Sequence, residues 1–77
     1  MRLSGIDSAV RSFPGVMSVA IMNGAREVHV EVNNKKIQER ELEVLSANIA
    51  KKIEADVAYP GEIKILVTRR FEATAVA

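Results

Sequence analysis

The feature that most constrains the fold is an apolar stripe that ends at a Pro-Gly pair, within residues 38–70. Its large aliphatic residues recur at spacings of three, four and four: Leu42, Leu45, Ile49 and Ile53. This periodicity predicts an amphipathic helix of about five turns. Pro60 cannot continue a helix, Gly61 permits the turn that follows, and residues 62–70 then alternate as a strand does. The remaining segments must pack on this unit or pair with it.

The segment before this unit predicts one more helix and a hairpin. Four apolar residues share one helical face, namely Ile6, Ala9, Val10 and Phe13. Pro14 ends that helix because the residue before a proline is pushed out of the α region. Residues 16–22 are apolar on both faces, whereas residues 26–32 place valines on one face only. Residues 23–25 between them, Asn-Gly-Ala, predict a tight turn.

The predicted fold class is α+β, with the element order α-β-β-α-β and two helices on one face of a three-stranded, mainly antiparallel sheet. Because the first strand is apolar on both faces, we place it in the centre, which gives the strand order 2-1-3. In the alternative, the last strand lies parallel beside the second and needs a right-handed crossover. We interpret residues 1–77 as one small domain with a core at 13–70 and a tail at 71–77.

Composition excludes several classes of site. The chain has no cysteine and a single histidine, so disulfides, thiolate metal sites and multi-histidine metal sites are ruled out. There is no apolar run near the roughly 20 residues that cross a bilayer and no signal-peptide pattern at the start. We therefore expect a cytoplasmic location and no direct membrane contact from this segment.

His29 is the one candidate for acid–base chemistry, because Glu27 and Glu31 flank it on the polar face of a predicted strand. Such a trio arises easily by chance on a solvated face, so we interpret it as surface. No nucleophile motif or phosphate-binding glycine loop accompanies it. We predict no catalytic residue, no metal ligand and no cofactor in this chain.

Two sets of residues are candidate interaction surfaces. The first could contact RNA or another phosphate: Lys51, Lys52, Lys64, Arg69 and Arg70. Because 11 basic residues balance 10 acidic ones, any such binding should be weak. The second set is a predicted association surface on the outer sheet face and the tail: Ala20, Met22, Leu66 and Phe71. A small domain has a marginal core, which favours association.

Several short runs together resemble the C-terminal domain of ribonuclease Y. They are FPGV at 13–16, a turn ending in Arg26-Glu27, IAKKIE at 49–54 and YPGEIKI at 59–65. The resemblance continues without a gap from residue 13 to residue 69. The most specific part is IAKKIE followed five residues later by YPGEIK. Two features depart from the family: the glycine of the turn, Gly24, does not directly precede the arginine, and the tail FEATAVA is less basic.

The resemblance implies a bacterial endoribonuclease that initiates mRNA decay. That family has an N-terminal membrane anchor, a coiled coil, a KH domain that contacts RNA, and an HD domain whose histidines and aspartates bind metal and cut RNA. The HD-type pairs are absent here, so the resemblance implies a non-catalytic module that associates with the HD and KH domains or with a second copy. An accessory RNA-contacting module, the C-terminal domain of another HD-type phosphohydrolase and a small-molecule regulatory module are the alternatives.

Overall fold

A computed structural model describes residues 3–57, 62–71 and 73–77. It contains five main elements and one short 3₁₀ turn at Glu39–Glu41. The elements are α1 (Leu3–Arg11), β1 (Val16–Met22), β2 (Glu27–Asn33), α2 (Leu42–Asp56) and β3 (Lys64–Arg70). The predicted element order and the α+β class are confirmed.

The predicted strand order, 2-1-3, is wrong. The sheet is mixed and has the order β1-β2-β3, with β1 antiparallel and β3 parallel to the central strand β2. The long segment that carries α2 spans the sheet face and returns to the same end, as parallel neighbours require. The predicted order would need the same return, so the difference between the two orders lies in which strand is buried. The alternative arrangement, with the last strand parallel beside the second, is the one adopted.

The burial pattern shows why β2 holds the centre. Val28, Val30 and Val32 are 0–1% exposed, whereas every residue of β1 retains some exposure. The second apolar face of β1, which suggested a central strand, is instead half-exposed on the side of the sheet away from the helices. A strand that is apolar on both faces can therefore lie at an edge.

A β-bulge lies near the start of β1. Val16 pairs with Val32 and Ser18 pairs with Glu31, so Met17 is an extra residue on this strand. The bulge shifts the alternation by one residue, and Val16 packs against the core together with Val19 and Ile21. Strict alternation would have placed Val16 on the opposite face.

The core lies between the sheet and the two helices. It is one apolar cluster contributed by α1, β2, α2 and the residues next to them: Ile6, Ala9, Val10, Ala25, Val28, Val30, Val32, Ile49, Ile53 and Val57. The inward positions predicted for β3 are confirmed, because Ile63, Ile65 and Val67 pack against this cluster. Both helices thus cover the same face, and none of the residues that the structure describes covers the other face of the sheet.

The ends of α2 follow from local chemistry. Before the start, the 3₁₀ turn that leads into α2 is capped, because the backbone N–H of Gln38 donates to Oε1 of Glu41 at 3.1 Å. At the other end, the N–H of Val57 donates to the carbonyl of Ile53 at 2.9 Å, and Val57 is extended. The Tyr-Pro-Gly stop at 59–61 lies outside the described residues. Within the described part of the chain, neither helix has the length and apolar character needed to span a membrane.

Candidate interaction surfaces

The open face of the sheet, here called the outer face, carries alternate side chains of all three strands. Neighbouring residues across the strands follow the pairing register: Met22, Glu27 and Lys64; Ala20, His29 and Leu66; Ser18, Glu31 and Thr68. Apolar side chains thus come from the two edge strands and acidic ones from the centre. The outer face therefore combines apolar and charged side chains.

Three of the four residues predicted for association lie together on this face. Ala20 and Leu66 flank His29, and Met22 is the next outward residue of β1. Met22 and Leu66 are 43% and 42% exposed, which is high for large apolar side chains. Phe71 is separate: it follows β3, and its ring centroid lies 5.4 Å from the guanidinium carbon of Arg69.

The acidic side chains of β2 are held by polar neighbours. The Asn23 amide donates to Oε2 of Glu27, and the His29 ring Nε2 lies 3.4 Å from Oε1 of the same carboxylate. These hydrogen bonds, that of His29 first and that of Asn23 second, lower the pKa of the Glu27 carboxyl. The Ser18 hydroxyl donates to Oε1 of Glu31 at 3.1 Å. Glu31 is therefore tied to β1, and Glu27 is tied to the turn and to its own strand.

Replacing His29 with alanine should raise the pKa of the Glu27 carboxyl towards its ordinary value, because the contact that lowers this pKa most is lost. Carboxyl ¹³C shifts measured by NMR across an acid titration would give this pKa. A lowered carboxyl pKa stabilises the fold above the unfolded-state pKa, and this contribution disappears as the pH falls through the folded-state pKa. Ser18→Ala is the control, because it removes the hydrogen bond to Glu31 and should leave the pKa of Glu27 unchanged. An unchanged Glu27 pKa in His29→Ala would contradict this assignment.

The structure does not gather the five predicted phosphate-contacting residues into one patch. Lys51 is exposed on α2, and Lys52 beside it pairs with Asp56 at 2.8 Å. Lys64 and Arg70 lie on the outer face, which is on the opposite side of the sheet from α2. The remaining residue, Arg69, points to the helix side, where its Nη2 donates to the Asn34 carbonyl at 2.9 Å.

The polar trio on β2 shares one face, as its spacing predicts. Among the residues that the structure describes, no group of three or more His, Asp and Glu side chains is arranged to hold a metal ion. Chemically, the trio can form hydrogen bonds and ion pairs with a partner. The outer face is therefore suited to recognition.

Sequence reasoning missed an open groove at the start of α2. Its volume is about 400 Å³, and its lining includes Ile37, Arg40, Val44 and Leu45. Val44 is 62% exposed because it lies off the apolar stripe. In the sequence, the groove could have been indicated by this valine, an apolar residue at a position of the helix that lies off its apolar stripe.

The geometry defines a small α+β module that has a mixed sheet and one open face. The comparisons with known proteins then show which proteins the chain is similar to. The chain is 40% identical over 73 residues to ribonuclease Y 2 of Bdellovibrio bacteriovorus, covering 95% of the chain and 14% of that relative. It is 34% identical over 76 residues to ribonuclease Y of Chlorobium phaeobacteroides, covering 99% of the chain and 14% of the relative. Ribonuclease Y of Treponema pallidum is 40% identical over 68 residues, which is 88% of the chain and 14% of the relative.

The chain is therefore a relative of ribonuclease Y, and the resemblance found in its short runs is confirmed along nearly its whole length. The matches are consistent with the C-terminal segment to which those runs pointed. The chain spans only about one seventh of the length of these relatives, 14% in each case. No protein-family model and no solved structure matches the chain.

Proposed function

We propose that this chain is a non-catalytic association module of a ribonuclease Y-type protein, an HD-domain endoribonuclease of mRNA decay. The observation that carries the proposal is the grouping of Ala20, Met22 and Leu66 on the outer face, with Met22 and Leu66 each more than two-fifths exposed. Covering exposed apolar side chains of this size is a common reason for association. The similarity to ribonuclease Y supports a parent protein of this type.

The partners in this proposal are the HD and KH domains of the same protein, a second copy of the chain, or both. The protein works in the cytoplasm, where an N-terminal helix outside this segment holds it at the membrane. Catalysis and its divalent metal belong to the HD domain. The fixed carboxylates on β2 provide hydrogen-bond acceptors between the apolar positions of β1 and β3, as the polar parts of an interface do.

RNA contact is the competing role. Its support is the number of cations, but the dispersion of those cations over both sides of the sheet argues against a strong phosphate-binding surface. An RNA complex that is tight at physiological salt and weakened by charge reversal at Lys51 and Lys52 would favour this role. The same assay with manganese or magnesium reports cleavage, which we expect to be absent for the isolated chain.

The association role is tested by adding the HD- and KH-containing remainder of the protein to the ¹⁵N-labelled chain. We expect the amide signals of Ala20, Met22 and Leu66 to move. Leu66→Lys should weaken this binding by about tenfold or more, about 1.4 kcal/mol, because it places a charge in the contact. Val44→Lys puts the same charge on α2 and is the matched control. Unmoved outer-face signals, or equal loss in both variants, would refute docking through this face.

A further inference from the structure

The outermost strand β1 has an edge with no protecting charge. Its seven residues, Val16–Met22, include no charged residue and no proline. Proteins usually protect an exposed edge strand with lysine, proline or a bulge, because its free backbone groups are a template for another strand. The bulge at Met17 interrupts only the start of β1, and residues 18–22 have none of these protections. The other edge of the sheet, β3, has such protection in Lys64, Arg69 and Arg70.

The register identifies the backbone groups that face the open edge. The N–H of Lys64 donates to the carbonyl of Arg26 at 2.8 Å, so the even-numbered residues of β2 direct their backbone groups at β3. The odd-numbered residues of β2 then direct theirs at β1, where they pair with Met22, Ala20 and Ser18. Alternation along β1 leaves the N–H and C=O of Val19 and Ile21 directed outwards.

We propose that this edge pairs with the same edge of a second copy, antiparallel and about a twofold axis at Ala20, which makes one six-stranded sheet. The proposal rests on the association role above and names its partner as this chain itself. With Ala20 opposite Ala20, Val19 of each copy lies opposite Ile21 of the other. Both free residues on each strand then pair, and the bulge at Met17 and the turn at Asn23 bound the pairing segment on either side.

The side chains suit this register. On the helix side, Val19 meets Ile21 of the other copy and continues the apolar layer. On the outer face the small Ala20 side chains meet at the axis, and Met22 of each copy lies opposite Ser18 of the other. An uncharged strand brings no like-charge repulsion to a pairing with itself. The free edge of β3 would instead place its cations against the cations of a second copy.

The test uses opposite charges at the axis. Directly opposed residues of an antiparallel pair have Cβ atoms roughly 4.5–5.5 Å apart, so like charges there repel. Ala20→Lys and Ala20→Glu, each alone, should abolish the concentration-dependent dimer that sedimentation equilibrium detects for the 77-residue chain. A mixture of the two variants should restore it. In the wild type, the Val19 and Ile21 amides should become protected from hydrogen exchange as the concentration rises, and the protection should be lost in each single variant.

The proposal is overturned if the wild type stays monomeric to near-millimolar concentration or if the dimer survives both single variants. It is also overturned if the mixture fails to pair although each variant keeps the wild-type circular dichroism. Loss of the dimer on removal of residues 73–77 would also overturn it, because the β1 edge would then bind the tail of another copy and not its β1. Leu66→Lys lies on β3, away from this edge, so the dimer should persist in it. Docking on the HD and KH domains and pairing through β1 can therefore fail separately.

Discussion

Replacing Ile49 with alanine should lower the free energy of unfolding by about 3 kcal/mol. This is near the middle of the range for truncating a large aliphatic side chain in a core, which leaves a cavity. Ile49 is 0% exposed and packs in the single apolar cluster between both helices and the sheet. A domain of this size has roughly 4–12 kcal/mol of stability in total, so the loss is a large part of it. Urea denaturation followed by circular dichroism measures the change as a lower midpoint at an unchanged slope.

Val44→Ala is the matched control for this prediction. Val44 is on the same helix and is also β-branched, but it is 62% exposed. Its replacement should change stability by no more than about 0.5 kcal/mol. Equal losses in the two variants would mean that helix propensity, and not burial in the core, decides the stability of α2.

Periodicity in the sequence predicted what depends on neighbours along the chain. The stripe containing Ile49 and Ile53 is the buried face of α2, and the alternating valines Val28, Val30 and Val32 are the buried face of β2. Both patterns reflect the simple rule that a secondary-structure element repeats its buried positions at its own period. For the same reason the outward positions of Ala20, Met22 and Leu66 could be predicted.

Strand order could not be predicted in the same way, because it depends on which surfaces meet. The apolar outer face of β1 suggested a central position, although in the structure that face has no cover among the described residues. The bulge at Met17 is also invisible to alternation, and it reassigns Val16 to the core. The basic residues illustrate the same limit. Lys52 and Lys64 are both positively charged, yet the packing of α2 on the inner face puts them on opposite sides of the sheet.

The turn between β1 and β2 explains one departure from the ribonuclease Y pattern. Asn23, Gly24 and Ala25 all have positive φ, at 54°, 64° and 68°. The position before Arg26 therefore suits the glycine that the family tends to place there. Ala25 takes this strained conformation with its side chain buried, at 3% exposure. The turn accommodates alanine because the methyl group joins the core cluster, which offsets part of the left-handed strain.

Replacing Gly15 with alanine should lower the free energy of unfolding by about 2–3 kcal/mol, because two penalties of about 1 kcal/mol or more combine. The first is conformational: φ is +89°, which L side chains rarely adopt. The second is steric: an added Cβ would lie 2.9 Å from Cγ1 of Ile37 and 3.1 Å from its Cδ1. At Ala25, burial of the methyl group offsets part of the strain. At position 15 it would not, because Ile37 already fills the space that the methyl group would occupy.

Gly5→Ala is the control that separates these penalties from the general effect of removing a glycine. Gly5 lies within α1, and an added Cβ would meet Cγ2 of Val57 at 3.5 Å, an ordinary contact. Alanine favours a helix over glycine, so this variant should raise the free energy of unfolding by about 0.5–1 kcal/mol. Urea denaturation of both variants should therefore move the midpoints in opposite directions. A stabilised Gly15→Ala would show that the turn after Pro14 relaxes at little cost, and that the FPGV run does not depend on the left-handed conformation of its glycine.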